Sequence, residues 1–269
     1  MKSIYGENVL VTGASSGIGK NIAQTLSKEG FNVFGTSRRE CLVDGVKMIV
    51  MDVCSTESVE SAFKQIECGI DILVNCAGTG ITGAVEDCTG EDAISQMNTN
   101  YAGSIRAIRC VLPNMRQNKR GLIINIGSVG GIYTCPFQSL YSSSKAAVEM
   151  MTESLRIELK PFGIKACTVC PGDLHTGFTK NRLYTEASKN SVYGSAFKNS
   201  IARMEHDETN GKSPEVVTKE IVKIIHSTKV PVRVVVGGDY KLLVFLKRLF
   251  PLSVVEKILT SMYPNWKRK

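Results

Sequence analysis

Thr12-Gly13-Ala14-Ser15-Ser16-Gly17-Ile18-Gly19 decides the fold. It follows an apolar run, Val9–Thr12, and opens a helical pattern carried by Ile22 and Leu26. A strand, a glycine-rich turn and a helix in that order form the entry unit of a dinucleotide-binding βαβ fold. Gly13 makes the tight turn, Gly17 lets the backbone approach a pyrophosphate, and Gly19 lets helix and strand pack closely. The helix start offers unpaired N–H groups and a positive dipole end to phosphate. Ser15, Ser16 and Ile18 complete the loop, and Ser15 adds a hydroxyl donor.

Working outward, six more strand-like runs follow: Val33–Thr36, Met48–Met51, Ile72–Asn75, Leu122–Ile126, Ala166–Cys170 and Val232–Val236. Helical spacing separates them, as in Val59, Phe63 and Ile66. Seven strands alternating with helices predict an α/β fold, a doubly wound seven-stranded parallel sheet with helices on both faces. The 269 residues read as one Rossmann-type domain. Hydrophobic residues at 43% and charged residues at 22% exclude a disordered or fibrous chain. Residues 173–214 offer no strand pattern, and their apolar residues predict a folded lid. Residues 239–269 read as a basic helical tail. Asp239 is the expected cap of a helix running to Phe250 before Pro251. Ser253 with Glu256 suggests a capping box for a second helix.

The chain carries 33 basic and 25 acidic residues, a net +8. Residues 241–269 hold seven basic residues against one acidic, a net +6, so the body is nearly neutral. That distribution excludes a broad nucleic-acid face and leaves the tail as a contact for an acidic membrane surface. No secretory signal is read at the start, and nine scattered cysteines suit a reduced cytoplasmic protein. Cys167 and Cys170 lie in an apolar run and read as core, and no metal cluster is read. The longest apolar run, Leu242–Leu246, is far short of the ~20 residues that span a bilayer.

The second strand ends Gly35-Thr36-Ser37-Arg38-Arg39. Dinucleotide sites selective for NAD place an acid there, whereas arginine accommodates the 2′-phosphate of NADP. Arg38 and Arg39 therefore point to NADP(H), since guanidinium grips phosphate well.

Tyr141 and Lys145 stand at i and i+4 and share a helix face. Ser128 ends the fifth strand, on the side where open α/β sheets bind ligands. With the glycine loop, this set resembles the short-chain dehydrogenase/reductase family over almost the whole chain. The strand-end Thr-Ser-Arg-Arg, the long lid and the basic tail resemble its 17β-hydroxysteroid-dehydrogenase-like branch. The resemblance implies catalysis by Asn100, Ser128, Tyr141 and Lys145, with Asn98 a rival for the asparagine. Asp52-Val53 resembles the pair that holds the adenine ring. Asn75-Cys76-Ala77-Gly78 resembles the family's Asn-Asn-Ala-Gly, with cysteine in second place. Pro171, Gly172, Leu174 and Thr176 match the segment at the nicotinamide end. Asn100, Tyr141 and Lys145 are shared with the cofactor site.

In that chemistry Tyr141 protonates the carbonyl oxygen, Ser128 orients it, and Lys145 with the positive nicotinamide ring lowers the tyrosine pKa. Lys145 also holds the nicotinamide ribose, and Asn100 supports a water that returns the proton. Tyr133, Phe137 and Phe178 join Ser128 and Tyr141 as candidate substrate contacts. The mostly apolar segments suit a bulky ketone or alcohol, first a hydroxysteroid. A lipid-linked ketone, acyl-dihydroxyacetone phosphate or 3-oxoacyl, is the alternative. A catalytically silent NADP-sensing module is opposed by the intact Ser128, Tyr141 and Lys145. The resemblance further implies a homodimer or homotetramer built on helices near 98–112 and 141–159. Ala147, Met151, Leu155 and Leu159 form an apolar stripe on the second.

Overall fold

Long apolar runs make the central strands, because a parallel strand buried on both faces has no polar side. The computed structural model describes residues 3–262; Lys267, Arg268 and Lys269 of the basic tail lie outside them. The first half runs β1 (Asn8–Val11), α1 (Gly17–Lys28), β2 (Asn32–Ser37), β3 (Lys47–Val50), α2 (Thr56–Lys64), β4 (Ile72–Asn75), β5 (Ile81–Thr82), α3 (Gly90–Met97) and α4 (Gly103–Gln117). The second half runs β6 (Gly121–Ile126), α5 (Ser139–Leu159), β7 (Ile164–Pro171), β8 (Leu183–Tyr184), α6 (Gly194–Thr209), α7 (Glu215–Ile225), β9 (Arg233–Val236), α8 (Gly238–Leu249) and α9 (Leu252–Met262).

Seven strands form one parallel sheet in the order β3-β2-β1-β4-β6-β7-β9. All seven expected strands are present, with ends within two residues of those read from the sequence. The order reverses between β1 and β4, and that switch point opens a crevice at the carboxyl ends of the strands. Val9 and Val11 of β1 face α1 and α7, whose Ile22, Leu26, Val217 and Ile221 share their cluster. Leu10 faces the other way, toward Ala107 and Val111 of α4 and Leu155 and Leu159 of α5. Helices therefore cover both faces, and each face buries a continuous apolar layer.

Four expectations need correction. Residues 173–214 do contain a strand, because β8 pairs in parallel with β5, Ile81 opposite Leu183. Asp239 does not cap α8: Gly237, at φ 112°, holds the cap position and Asp239 sits in the first turn. Helix α9 already begins at Leu252, which places Ser253 inside it rather than ahead of it. The stripe on α5 turns inward: Leu155 and Leu159 are buried and Met151 packs against the same cluster. Residues 173–214 also carry α6, so the span is built of regular elements.

Candidate active site

The cofactor loop is shaped by what a side chain would strike. Gly17 takes φ +53°, a left-handed conformation suited to glycine, and a Cβ there would meet only Thr176, at 3.7 Å. Its outer side is open for close approach of a phosphate. A Cβ on Gly19 would lie 2.4 Å from the Gly13 carbonyl oxygen, so α1 could not pack on its own loop. Ser16 stands at the N-cap with no side-chain hydrogen bond, which leaves first-turn N–H groups for an anion. The exposed Ser15 lies beside it. Thr12 Oγ1 accepts from the N–H groups of Cys76 and Ala77, 3.0 Å each, and ties the loop to the end of β4. Arg38 and Arg39 extend into solvent just beyond β2, with no side-chain partner among the described residues. Val53 is buried against Gly103, and Asp52 Oδ1 accepts from the Cys54 N–H at 2.9 Å. These features fit the dinucleotide expected from the sequence.

Asn75 is buried at the end of β4. Its Nδ2 donates to Asn125 Oδ1 at 2.9 Å, Asn125 Nδ2 donates to Thr152 Oγ1 at 2.8 Å, and Thr152 donates to the Val148 carbonyl. This polar chain joins three elements beneath the crevice. Asn75 Oδ1 itself has no partner among the described residues.

The reacting end lies in a cleft of about 700 Å³. Ser128, Tyr141 and Lys145 line it together with Gly78, Pro171, Gly172, Leu174 and Thr176. Ser128 Oγ accepts from the Gly130 N–H at 3.0 Å, which orients the hydroxyl. Lys145 is buried, donates to the Ile126 carbonyl at 2.7 Å, and holds its Nζ 5.9 Å from the Tyr141 ring centroid. Burial pushes the Tyr141 hydroxyl up to about 12, opposed by the Ser128 hydrogen bond, and burial lowers the Lys145 ammonium. That direction belongs to the chain alone, where desolvation is the largest influence on Tyr141.

Asn100, not Asn98, faces this site. A π-helical turn over Asn98–Ala102 points it inward between α3 and α4. Its Oδ1 accepts from the Thr79 N–H at 2.9 Å, and its Nδ2 donates to the Thr79 carbonyl and to Ser144 Oγ. Ser144 in turn donates to the Tyr141 carbonyl at 2.7 Å. The side chain expected to support a water thus braces the Thr79 turn against α5. Asn98 instead accepts from Arg106 Nη2 at 2.8 Å.

Of the expected substrate contacts, Tyr133 and Phe178 line the cleft beside Ser128 and Tyr141. The Phe178 ring lies 5.6 Å from that of Tyr141. The Tyr133 hydroxyl is buried without a hydrogen-bond partner among the described residues. Phe137 does not line the cleft; it packs edge-on against Phe197 and Tyr193 in a separate apolar cluster under the lid. Several functional positions escaped the sequence reading. Met204 of α6, Tyr240 and Leu243 of α8 and Leu259 of α9 supply cleft wall. Gln96 is fully buried and fixes the Thr79–Ile81 turn through both ends of its amide. The helical pattern of the tail carried a signal for a packed face but not for which surface it meets. Gln96 carried none.

A family model described as short chain dehydrogenase matches residues 7–187. A 3-ketodihydrosphingosine reductase of Bacteroides thetaiotaomicron is 46% identical over 85% of this chain and 87% of its own length. The human 17-beta-hydroxysteroid dehydrogenase type 1 is 34% identical over 65% of this chain and 59% of its own. A closed serine dehydrogenase solved with NADP⁺ superposes with a TM-score of 0.73 at 26% identity, covering 85% of this chain and 93% of that one.

Proposed function

Because this chain belongs to the short-chain dehydrogenase family, and is an NADP(H)-dependent oxidoreductase interconverting ketone and alcohol, we propose that it reduces the ketone of a long-chain lipid. The observation that carries this reading is the cleft above Tyr141. It is about 700 Å³, within the range of small-molecule sites, and is walled by Phe178, Met204, Leu243 and Leu259. The relative at 46% identity acts, by its name, on a 3-keto sphingoid base, and supports a lipid-type ketone over the hydroxysteroid placed first by sequence. The hydroxysteroid stays as second reading, favoured by the 34% identity with a steroid enzyme over a shorter stretch.

NADPH, when bound in the crevice, supplies the hydride. The chain's own residues do the rest. The glycine loop and the α1 start take the pyrophosphate, and Arg38 and Arg39 take the 2′-phosphate. Ser128, held by the Gly130 N–H, donates to the carbonyl oxygen and fixes its position. Burial keeps the Tyr141 phenol protonated at neutral pH, the form a reduction needs as its general acid. Lys145 reaches the nicotinamide ribose from the same helix face as Tyr141.

The test is NADPH consumption with 3-ketodihydrosphingosine and with estrone, each offered on a carrier. Faster kcat/KM for the sphingoid ketone is the expected result; a preference for estrone reverses the reading. The Tyr141→Phe variant keeps the ring and removes the proton donor. It should lose about 10²–10⁴-fold in turnover on either substrate while still binding NADPH. Retention of more than about a tenth of the rate would rule out Tyr141 as the acid.

A further inference from the structure

Helices α8 and α9 present two different faces. The inner face belongs to the cleft. Tyr240 and Leu243 line it from α8 and Leu259 from α9. Tyr240 lies directly over Gly172, where a Cβ would fall within 2.6 Å of three ring atoms, and its hydroxyl donates to Asp173. Further along, Lys247 donates to the Ile132 carbonyl and sits over the Tyr133 ring. Helix α8 is therefore fastened to both loops that bound the site.

Among the described residues the outer face has no such partner. Leu242, Phe245 and Leu249 project along one side of α8, at i, i+3 and i+7. Phe250 and Leu252 sit at the corner, and Val254 and Ile258 continue along α9. Their exposures run from 37% to 73%. Seven large exposed apolar side chains within seventeen residues form a patch of the kind that marks an interaction surface, whereas isolated ones would not. Exposed cations stand among them: Lys241, Arg248 and Lys257. Over residues 241–269 the sequence carries seven basic residues and one acidic. An apolar stripe edged by cations is the pattern of a helix lying in a membrane interface. No helix among the described residues is long and apolar enough to cross a membrane.

We propose that the outer face of α8 and α9 docks on an anionic phospholipid bilayer. The exposed apolar side chains enter the interfacial region and the cations meet lipid phosphate. Charge complementarity selects this occupant: a second copy of the chain would bring the same basic patch against itself. Docking in this way sets the cleft beside the bilayer, because the same two helices form its wall. The inference concerns the surface and holds whichever ketone is the substrate.

The experiment is flotation of the full chain with phosphatidylcholine vesicles, with and without phosphatidylglycerol. The wild type should float with the anionic vesicles and come off as salt rises, since cation–lipid attraction is screened. The Phe245→Ser/Leu249→Ser variant should lose about tenfold or more in partitioning, because each withdrawn side chain gives up its burial. Lys241→Glu with Lys257→Glu should weaken binding to anionic vesicles by about fivefold per cation and leave the weak binding to neutral ones unchanged. NADPH-dependent turnover of a short water-soluble ketone should be unaltered in both variants, showing that they fold. No flotation of the wild type, or equal flotation of the serine variant, would overturn the docking face. A fall in particle mass on the serine substitutions would mean that a second copy covers it, and would overturn the proposal too. Turnover of the lipid ketone on a soluble carrier is scored separately, so a failure of docking is distinguishable from a failure of the substrate reading.

Discussion

Single groups in this site are set by burial before they are set by charge. The Tyr141 hydroxyl is pushed up to about 12 because its ionised form would be desolvated. A phenol held that high keeps its proton through the neutral range. Reduction with NADPH draws on that proton, so its kcat should stay flat from about pH 6 to 9. A reduction rate that fell steadily over that interval would show an acid with a lower pKa, and Tyr141 would not be it. The proposed role of the arginines beyond β2 is to select the cofactor by ordinary charge. Each charge-assisted hydrogen bond to a 2′-phosphate contributes about 1.5–3 kcal/mol, roughly 10- to 150-fold. The wild type should therefore prefer NADPH over NADH by at least about tenfold. Arg38→Asp removes one attraction and adds a repulsion, and it should move preference toward NADH. KM and kcat with both cofactors measure this. Equal or better kcat/KM with NADH in the wild type would reduce Arg38 and Arg39 to surface charge.

At the scale of elements, the parts legible in the sequence were those whose signal is local. β1, β4 and β6 read as unbroken apolar runs because they are buried on both faces. The strand–turn–helix form of the glycine loop and the shared helix face of Tyr141 and Lys145 are legible because spacing carries that geometry. The β5–β8 pair was illegible: two residues in each strand are too few for a period, and their partner is a hundred residues away. The part of α8 in the cleft was illegible for another reason, since an amphipathic pattern shows that a face is buried but not what buries it. Asn100 is named only by resemblance, and its bracing of Thr79 and Ser144 depends on tertiary contacts. The lid adds a testable element of its own. Arg182 is almost wholly buried and pairs with Glu208, which also accepts from Thr179 Oγ1 at 2.6 Å. Glu208→Ala leaves that guanidinium buried without its partner, a change that typically costs about 3–5 kcal/mol. The expected result is faster amide exchange across residues 179–209 with the sheet unaffected, and a raised KM for the ketone. Unchanged exchange in the lid would show that the pair does not hold it.

For the whole molecule the open matter is assembly, and the direction of α5 decides which residues an interface can use. The stripe first assigned to it, with Leu155 and Leu159, is consumed by the chain's own core. The large apolar residues that the same helix exposes are Met150 and Ile157, at 69% and 76% exposure. A two-fold interface uses each residue twice, so in the proposed α5-centred dimer these two positions would place four large side chains in contact. At about 1.5–3 kcal/mol each they contribute roughly 6–12 kcal/mol, comparable to the cost of bringing two subunits together. They are therefore necessary to an α5-centred dimer without being its whole energy. Replacing both with arginine removes that apolar contact and sets like charges against one another across the axis. Light scattering at micromolar concentration should give two or four times the single-chain mass for the wild type, and the single-chain mass for Met150→Arg/Ile157→Arg. A monomeric wild type would end the proposal of a homo-oligomer. An unchanged mass in the double variant would move the interface off α5.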